Sequence, residues 1–252
     1  MNFIQAIIIS AIEGITEFLP ISSTGHLIIA EHFLKIQSTN FVKSFDIIIQ
    51  FGAILAVVWL YWTKIMSSRN LWKKLLISFL PTGILGFTLY RLVKDYLLGN
   101  VIITAIALFM GGIVLLLIDH YFKEKNTSVD KLSTNKLLSI GLFQSLSMIP
   151  GVSRSAATII GGMFSGLSRK DAVEYSFLLA IPTMAAASGY DLLKNGLSFS
   201  GEEFVILSVG FIVSFITALI AVKAFTNYIS HNNFKLFAIY RIILAILVLV
   251  LN

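Results

Sequence analysis

The chain has 252 residues, 57% of them hydrophobic and only 13% charged. An ordinary soluble domain carries about 25% charged residues, so this chain lacks the polar surface to cover a water-soluble globule, and the membrane class is the one that fits. The net charge of +6 does not signal nucleic acid, because Lys and Arg gather in short polar breaks such as 64–74 and 123–136, as cytoplasmic loops do.

In chain order, the first apolar stretch is 3–34. It has no basic leader and carries Glu13 and Glu17 where a signal peptide would be clean, so it is expected to be mature protein. It is interrupted at Leu19-Pro20-Ile21-Ser22-Ser23-Thr24-Gly25. Proline removes a backbone donor and clashes with the preceding turn, which leaves two pieces, each too short to cross a bilayer core of about 30 Å. Spans of about 20 apolar residues follow at 42–62, 74–93 and 100–121. A second interrupted stretch, 137–168, breaks at Pro150-Gly151-Val152-Ser153-Arg154-Ser155, and the spans 172–192, 204–224 and 235–251 complete the chain. Non-helical backbone at membrane depth is tolerated only when buried in protein or lining a watery cavity. Both interrupted stretches are therefore expected to be re-entrant helical hairpins. The absence of cysteine excludes disulfides, thiol catalysis and thiolate metal sites.

The two halves align at an offset of about 130, which sets Pro20 on Pro150, Ser23 on Ser153, the 45–56 segment on 175–186 and Ser78 on Ser208. The expected fold is an all-α integral membrane domain over residues 1–252, with repeat one at about 1–121 and repeat two at about 135–252. Each repeat holds one re-entrant hairpin and three transmembrane helices. Three spans is an odd number, so the repeats have inverted topology and their broken helices meet near the midplane. Twelve cations on one side (Lys64 through Lys74, Lys123 through Lys136, Arg169, Lys170, Lys223 and Lys235) face five on the other. The first set is placed in the cytoplasm and both termini outside.

A charge at the centre of a membrane helix costs about 2.5–3.5 kcal/mol, so it usually has a partner or a function. Asp46, Asp119 and Glu174 lie near span ends and read as interfacial, and Arg241 reads as a structural partner for a carboxylate or for carbonyls. Glu13, Glu17, His26 and Arg154 cluster at the breaks. Glu13 and Glu17 share a helix face at i, i+4, as a metal-binding or acid/base pair. Ser22, Ser23 and Thr24 are candidates for capping the following half-helix or, with its N–H groups, for binding phosphate. His26 is a candidate acid, base or nucleophile. Gly151 allows close backbone approach to a ligand, and Arg154 offers the rigid fork suited to phosphate. Ser153, Ser155 and Thr158 add hydroxyls.

The stretches Glu13-Gly-Ile-Thr-Glu17-Phe-Leu-Pro-Ile-Ser-Ser-Thr-Gly-His26 and Pro150-Gly-Val-Ser-Arg-Ser-Ala-Ala-Thr158 closely resemble both signature motifs of the bacitracin-resistance type undecaprenyl-diphosphate phosphatases. The resemblance extends over essentially the whole chain, including Phe45–Gly52, Phe177–Pro182 and Phe237-Ala-Ile-Tyr-Arg241. It implies hydrolysis of undecaprenyl diphosphate to undecaprenyl phosphate and phosphate, recycling the lipid carrier for peptidoglycan and envelope polymers and conferring bacitracin resistance. It also implies a bacterial cytoplasmic (inner) membrane location, a site open to the outer face, and a divalent cation, Mg2+ or Ca2+. The positions that carry over are Glu13, Glu17, Ser23, His26, Ser153, Arg154 and Thr158. In this reading Arg154 with Ser153, Ser155, Thr158, Ser22, Thr24 and Gly151 binds the diphosphate, and Glu17 with Glu13 holds the metal or activates the nucleophile. Ser23 or His26 attacks phosphorus. The alternative is a transporter or flippase of a phosphorylated polyprenyl lipid, since broken-helix repeats are transporter architecture. The acid-phosphatase type of lipid phosphatase is set aside, because Thr158-Ile159-Ile160-Gly161 stands where that type has a histidine after Ser-Arg. No nucleic-acid partner is expected, and the sequence leaves a homodimer open.

Overall fold

Long apolar runs leave backbone hydrogen bonding inside each segment as the way to satisfy its N–H and C=O groups, and the chain is helical throughout its apolar parts. The computed structural model describes residues 1–37, 39–97, 100–121, 127–195 and 199–251. These form α1 (Phe3–Thr16), α2 (Ser23–Phe33), α3 (Asn40–Leu60), α4 (Trp62–Ser67), α5 (Arg69–Leu92), α6 (Val101–Tyr121), α7 (Thr134–Ser145), α8 (Arg154–Phe164), α9 (Arg169–Asn195), α10 (Gly201–Ile229) and α11 (Lys235–Leu251). No strand occurs among the described residues. Polar residues start the helices where the sequence leaves apolar runs. Asn2 with Gln5, and Ser200 with Glu203, form capping boxes, and Thr39 and Ser68 cap α3 and α5. The side chains of Lys94, Asp119 and Lys194, and Lys123 and Lys125 entirely, lie outside the described residues.

All six expected spans fall on helices, and among the described residues four helices are long and apolar enough to cross a membrane on those grounds alone: α3, α5, Val101–Ile118 of α6, and α10. Helix α11 has 17 residues, about 26 Å at 1.5 Å per residue. Helix α9 carries Arg169, Lys170, Asp171 and Glu174 in its first turns and Ser176, Thr183 and Ser188 further on, which lowers its hydropathy. Large apolar side chains point outward along these helices, with Trp59, Phe87, Ile220 and Val250 all exposed, whereas Ser10, Thr104, Gln144, Ser214 and Arg241 are fully buried. An apolar exterior over a polar interior is the pattern of a multi-pass integral membrane protein.

Packing exchanges partners between the halves. Helix α1 packs on α10 and α7 on α5; α2 packs on α11 and α8 on α6; α3 meets α9, and α6 meets α11. Small residues allow the close approaches. A Cβ at Gly14 would collide with Ser214 and Thr217 of α10, and one at Gly141 with the Ser78 carbonyl of α5. This arrangement brings both broken stretches to the interior, each wedged against helices of the other half.

Candidate active site

Each break ends on a serine in left-handed backbone, Ser22 at φ 68° and Ser153 at φ 72°, and an 11-residue half-helix follows each. Left-handed backbone costs a non-glycine residue about 1–2 kcal/mol, so the surrounding packing must hold it. The matching conformations correct the expected register by one. Pro20 and Pro150 stand 130 apart, but Ser22 and Ser153 stand 131 apart, because the second break holds one more residue. Ser23 therefore corresponds to Arg154, the first helical residue of its half, and not to Ser153.

These two first residues converge on one carboxylate. Ser23 Oγ donates to Glu17 Oε2 at 2.7 Å, and Arg154 Nη2 donates to Glu17 Oε1 at 3.0 Å. Glu17 closes α1 and is 8% exposed. Arg154 is pinned further by the Ser176 carbonyl at 3.0 Å and Met184 Sδ at 3.5 Å, and it lies over the Phe18 ring at 5.4 Å. Its Nε is buried with no hydrogen-bond partner among the described residues. One turn before Glu17, Glu13 is 2% exposed and its Oε2 also finds no partner there, and neither does Asp46 Oδ1 or Ser10 Oγ. Native proteins rarely leave buried polar atoms unpaired, and such atoms mark functional ground.

His26 does not reach Ser23. Its Nδ1 faces the Ser22 carbonyl at 2.8 Å and its Nε2 faces the Tyr240 hydroxyl at 2.7 Å, with the two rings stacked at 5.4 Å and 13°. A carbonyl only accepts, so Nδ1 carries the proton and donates to it.

The other expected ligand-binding residues divide. Ser153 Oγ accepts from Ala156 N at 3.2 Å and caps α8, and Thr24 is exposed on α2. Ser155 Oγ donates to the Phe18 carbonyl at 2.7 Å. Thr158 Oγ1 donates to the Arg154 carbonyl at 2.9 Å and to Gln144 Oε1 at 3.3 Å. Both are fully buried and tie the break to its neighbours. The close approach that Gly151 permits is to α6, since a Cβ there would meet the Thr104 carbonyl.

Arg241 is fully buried and donates to carbonyls alone: Pro20 at 3.1 Å, Gly151 at 2.9 Å, Val152 at 3.0 Å, Ala107 at 3.3 Å and Leu108 at 3.3 Å. Of the two structural partners open to it, the structure gives carbonyls. One side chain thus gathers both breaks onto α6, filling the space that Gly111 leaves. Glu174 pairs with Lys64, away from this cluster.

The family model described as bacitracin resistance protein BacA matches residues 6–247, taking in both breaks and both ends of this hydrogen-bond network. The chain belongs to the BacA family. Among curated relatives, the undecaprenyl-diphosphatase of Aquifex aeolicus is 52% identical over 244 residues, covering 96% of this chain and 95% of that protein. That of Wolinella succinogenes is 50% identical over 252 residues, covering 99% of this chain and 98% of that protein. That of Persephonella marina is 48% identical with the same coverage. Within this BacA-family chain, sequence reasoning missed Tyr240, Phe18 and Ser176 as neighbours of the polar cluster. An aromatic on an apolar helix reads as lipid-facing, and a backbone carbonyl leaves no mark in a sequence.

Proposed function

We infer that this chain is an undecaprenyl-diphosphatase, releasing the terminal phosphate of undecaprenyl diphosphate in the bacterial inner membrane and so recycling the lipid carrier. The names and near-complete coverage of its relatives support the activity. The observation that carries the site assignment is the convergence of Ser23 and Arg154 on Glu17. Arg154 has a second anion to bind when substrate arrives: the terminal phosphate takes donors of the guanidinium fork, and Glu17 is left free to act as base. Ser23 Oγ attacks the terminal phosphorus while its proton passes to Glu17. The bond from phosphorus to the bridging oxygen breaks, and undecaprenyl phosphate leaves. Water then cleaves the phosphoserine, returning the serine and phosphate. His26, with both ring nitrogens engaged by Ser22 and Tyr240, suits proton handling better than attack. Neutralising the phosphoryl oxygens is the largest contribution.

A divalent cation, Mg2+ or Ca2+, would supply part of that neutralisation when bound. Both Glu17 oxygens are engaged, so Glu13 Oε2, buried and unpartnered, is the carboxylate oxygen suited to it. Among the described residues no group of three or more Asp, Glu, His or Cys side chains is arranged to hold a metal ion, so the protein side chains would supply only part of its ligands.

The exchanged packing of α1 on α10 and α7 on α5, and the matching breaks, support two repeats over about 1–121 and 135–252, each a re-entrant hairpin with three spans. The cation asymmetry supports outside termini and a site open to the outer face. The test is phosphate release from undecaprenyl diphosphate by detergent-purified protein, with and without chelator. Metal-dependent release is expected; folded protein that binds or carries the lipid without releasing phosphate would move the reading to a transporter.

A further inference from the structure

Helix α11 contributes two adjacent polar residues to the breaks. Arg241 fixes the register of α11 against the first break through the Pro20 carbonyl, two residues before Ser22. Tyr240, next to it, meets His26. The imidazole is thus held from opposite edges, by a carbonyl of the break at Nδ1 and by a hydroxyl of α11 at Nε2. The Ser22 carbonyl fixes Nδ1 as the protonated nitrogen, so Nε2 presents its lone pair to the Tyr240 hydroxyl, which donates. The stacking of the rings at 13° adds a second restraint on the imidazole plane.

We propose that Tyr240 is the positioning residue of His26, holding the imidazole in one orientation through its turnover as a proton carrier. This rests on the reading of His26 as part of the phosphatase site. A hydroxyl both donates and accepts. With neutral imidazole Tyr240 donates to Nε2; when the water that cleaves the phosphoserine gives a proton to the Tyr240 oxygen, the hydroxyl passes its own proton to Nε2 and then accepts from Nε2–H. The partner therefore remains in contact in both states, and Tyr240 neither gains nor loses a proton overall. A carboxylate in that place would favour the charged ring and hold its proton; phenol favours neither strongly. Tyrosine suits a histidine that must both take up and release.

Tyr240→Phe keeps the ring stack and removes the hydroxyl. Turnover of undecaprenyl diphosphate should fall about tenfold to a hundredfold, by analogy with hydrogen-bond partners that orient metal-ligating histidines, with KM within about twofold of the parent. In a His26→Ala background the same change should have no further effect, because the two residues act as one unit. Imidazole 15N NMR of the intact protein in detergent, with the His26 signal assigned by its loss in His26→Ala, reads the pairing without activity. The Nδ1–H tautomer should persist in both proteins, held by the Ser22 carbonyl, while the Nε2 signal should shift in Tyr240→Phe on losing its hydrogen-bond donor. Turnover within twofold of the parent in Tyr240→Phe would overturn the proposal. So would an equal further loss in the His26→Ala background, or an unchanged His26 Nε2 signal. A parent that releases no phosphate would instead refute the phosphatase reading and leave the NMR result to decide the pairing.

Discussion

Arg154 and Glu17, 137 positions apart in sequence, form a buried ion pair at 3.0 Å across the two breaks. The pair joins the two breaks and also holds the anion-binding group on a carboxylate until substrate competes for it. Removing one partner of such a pair leaves an unpaired buried charge, at a cost of about 3–5 kcal/mol. Arg154→Ala should therefore lower both stability and activity, whereas Arg154→Lys keeps the charge and loses the planar fork. Lysine should cost about 2–4 kcal/mol of transition-state stabilisation. Kinetics on protein whose thermal unfolding in detergent is measured alongside will separate the two losses, and a fully active, fully stable Arg154→Ala would contradict the pair's role.

The Ser23 hydroxyl donates to the same carboxylate, so Ser23→Ala should reduce turnover at least a hundredfold while leaving KM nearly unchanged. Acid quench of the parent with labelled lipid should trap phosphoserine at position 23. Label on His26, or near-parental turnover in Ser23→Ala, would reassign the nucleophile.

Arg241 satisfies five carbonyls from three segments of the chain. A methionine in its place would preserve volume and leave those acceptors unpaired, each at about 1–3 kcal/mol before water or repacking relieves some of them. The Arg241→Met protein should unfold at a distinctly lower temperature than the parent, and its activity loss should follow its stability. A stable Arg241→Met would show that the breaks are held by other contacts.

By the positive-inside rule, the split of Lys and Arg between the loops predicts an orientation. A tag after Asn252 should be labelled from outside in intact cells, and a cysteine introduced at Lys131 or Lys136 should react only after permeabilisation. The reverse pattern would invert the topology and the side from which each hairpin enters.

Much of this arrangement is legible in the sequence, and the limits have physical causes. Pro20 and Pro150 mark both breaks because proline removes a donor and clashes with the preceding turn, yet Pro81 and Pro182 are accommodated inside α5 and α9, so proline alone does not locate a break. Arg154 signals in the sequence that an anion must lie near it, since a buried guanidinium demands one, but nothing in the sequence singles out Glu17 over a substrate phosphate. The register between the halves drifts by one after the prolines, because a single added residue in an irregular turn leaves the helix pattern on both sides intact. Ser155 and Thr158 look like ligand hydroxyls in a linear motif but turn toward the Phe18 carbonyl and Gln144. On a half-helix, residues one and four places after Arg154 face different neighbours, and only tertiary packing decides which neighbours those are. Tyr240 is invisible as a partner of His26 because the contact spans 214 positions.

If the two breaks together form a phosphatase site, phosphate release from undecaprenyl diphosphate must depend on Glu17, and comparing the parent with Glu17→Gln measures that dependence. Glutamine keeps the shape at position 17, but its single carbonyl oxygen replaces only one of the two oxygens that accept from Ser23 and Arg154, and it can take no proton. The parent should release one phosphate per lipid in the presence of divalent cation, and Glu17→Gln should be slower by about a hundredfold or more, the usual contribution of a positioned base. Parental rates in Glu17→Gln would contradict the site.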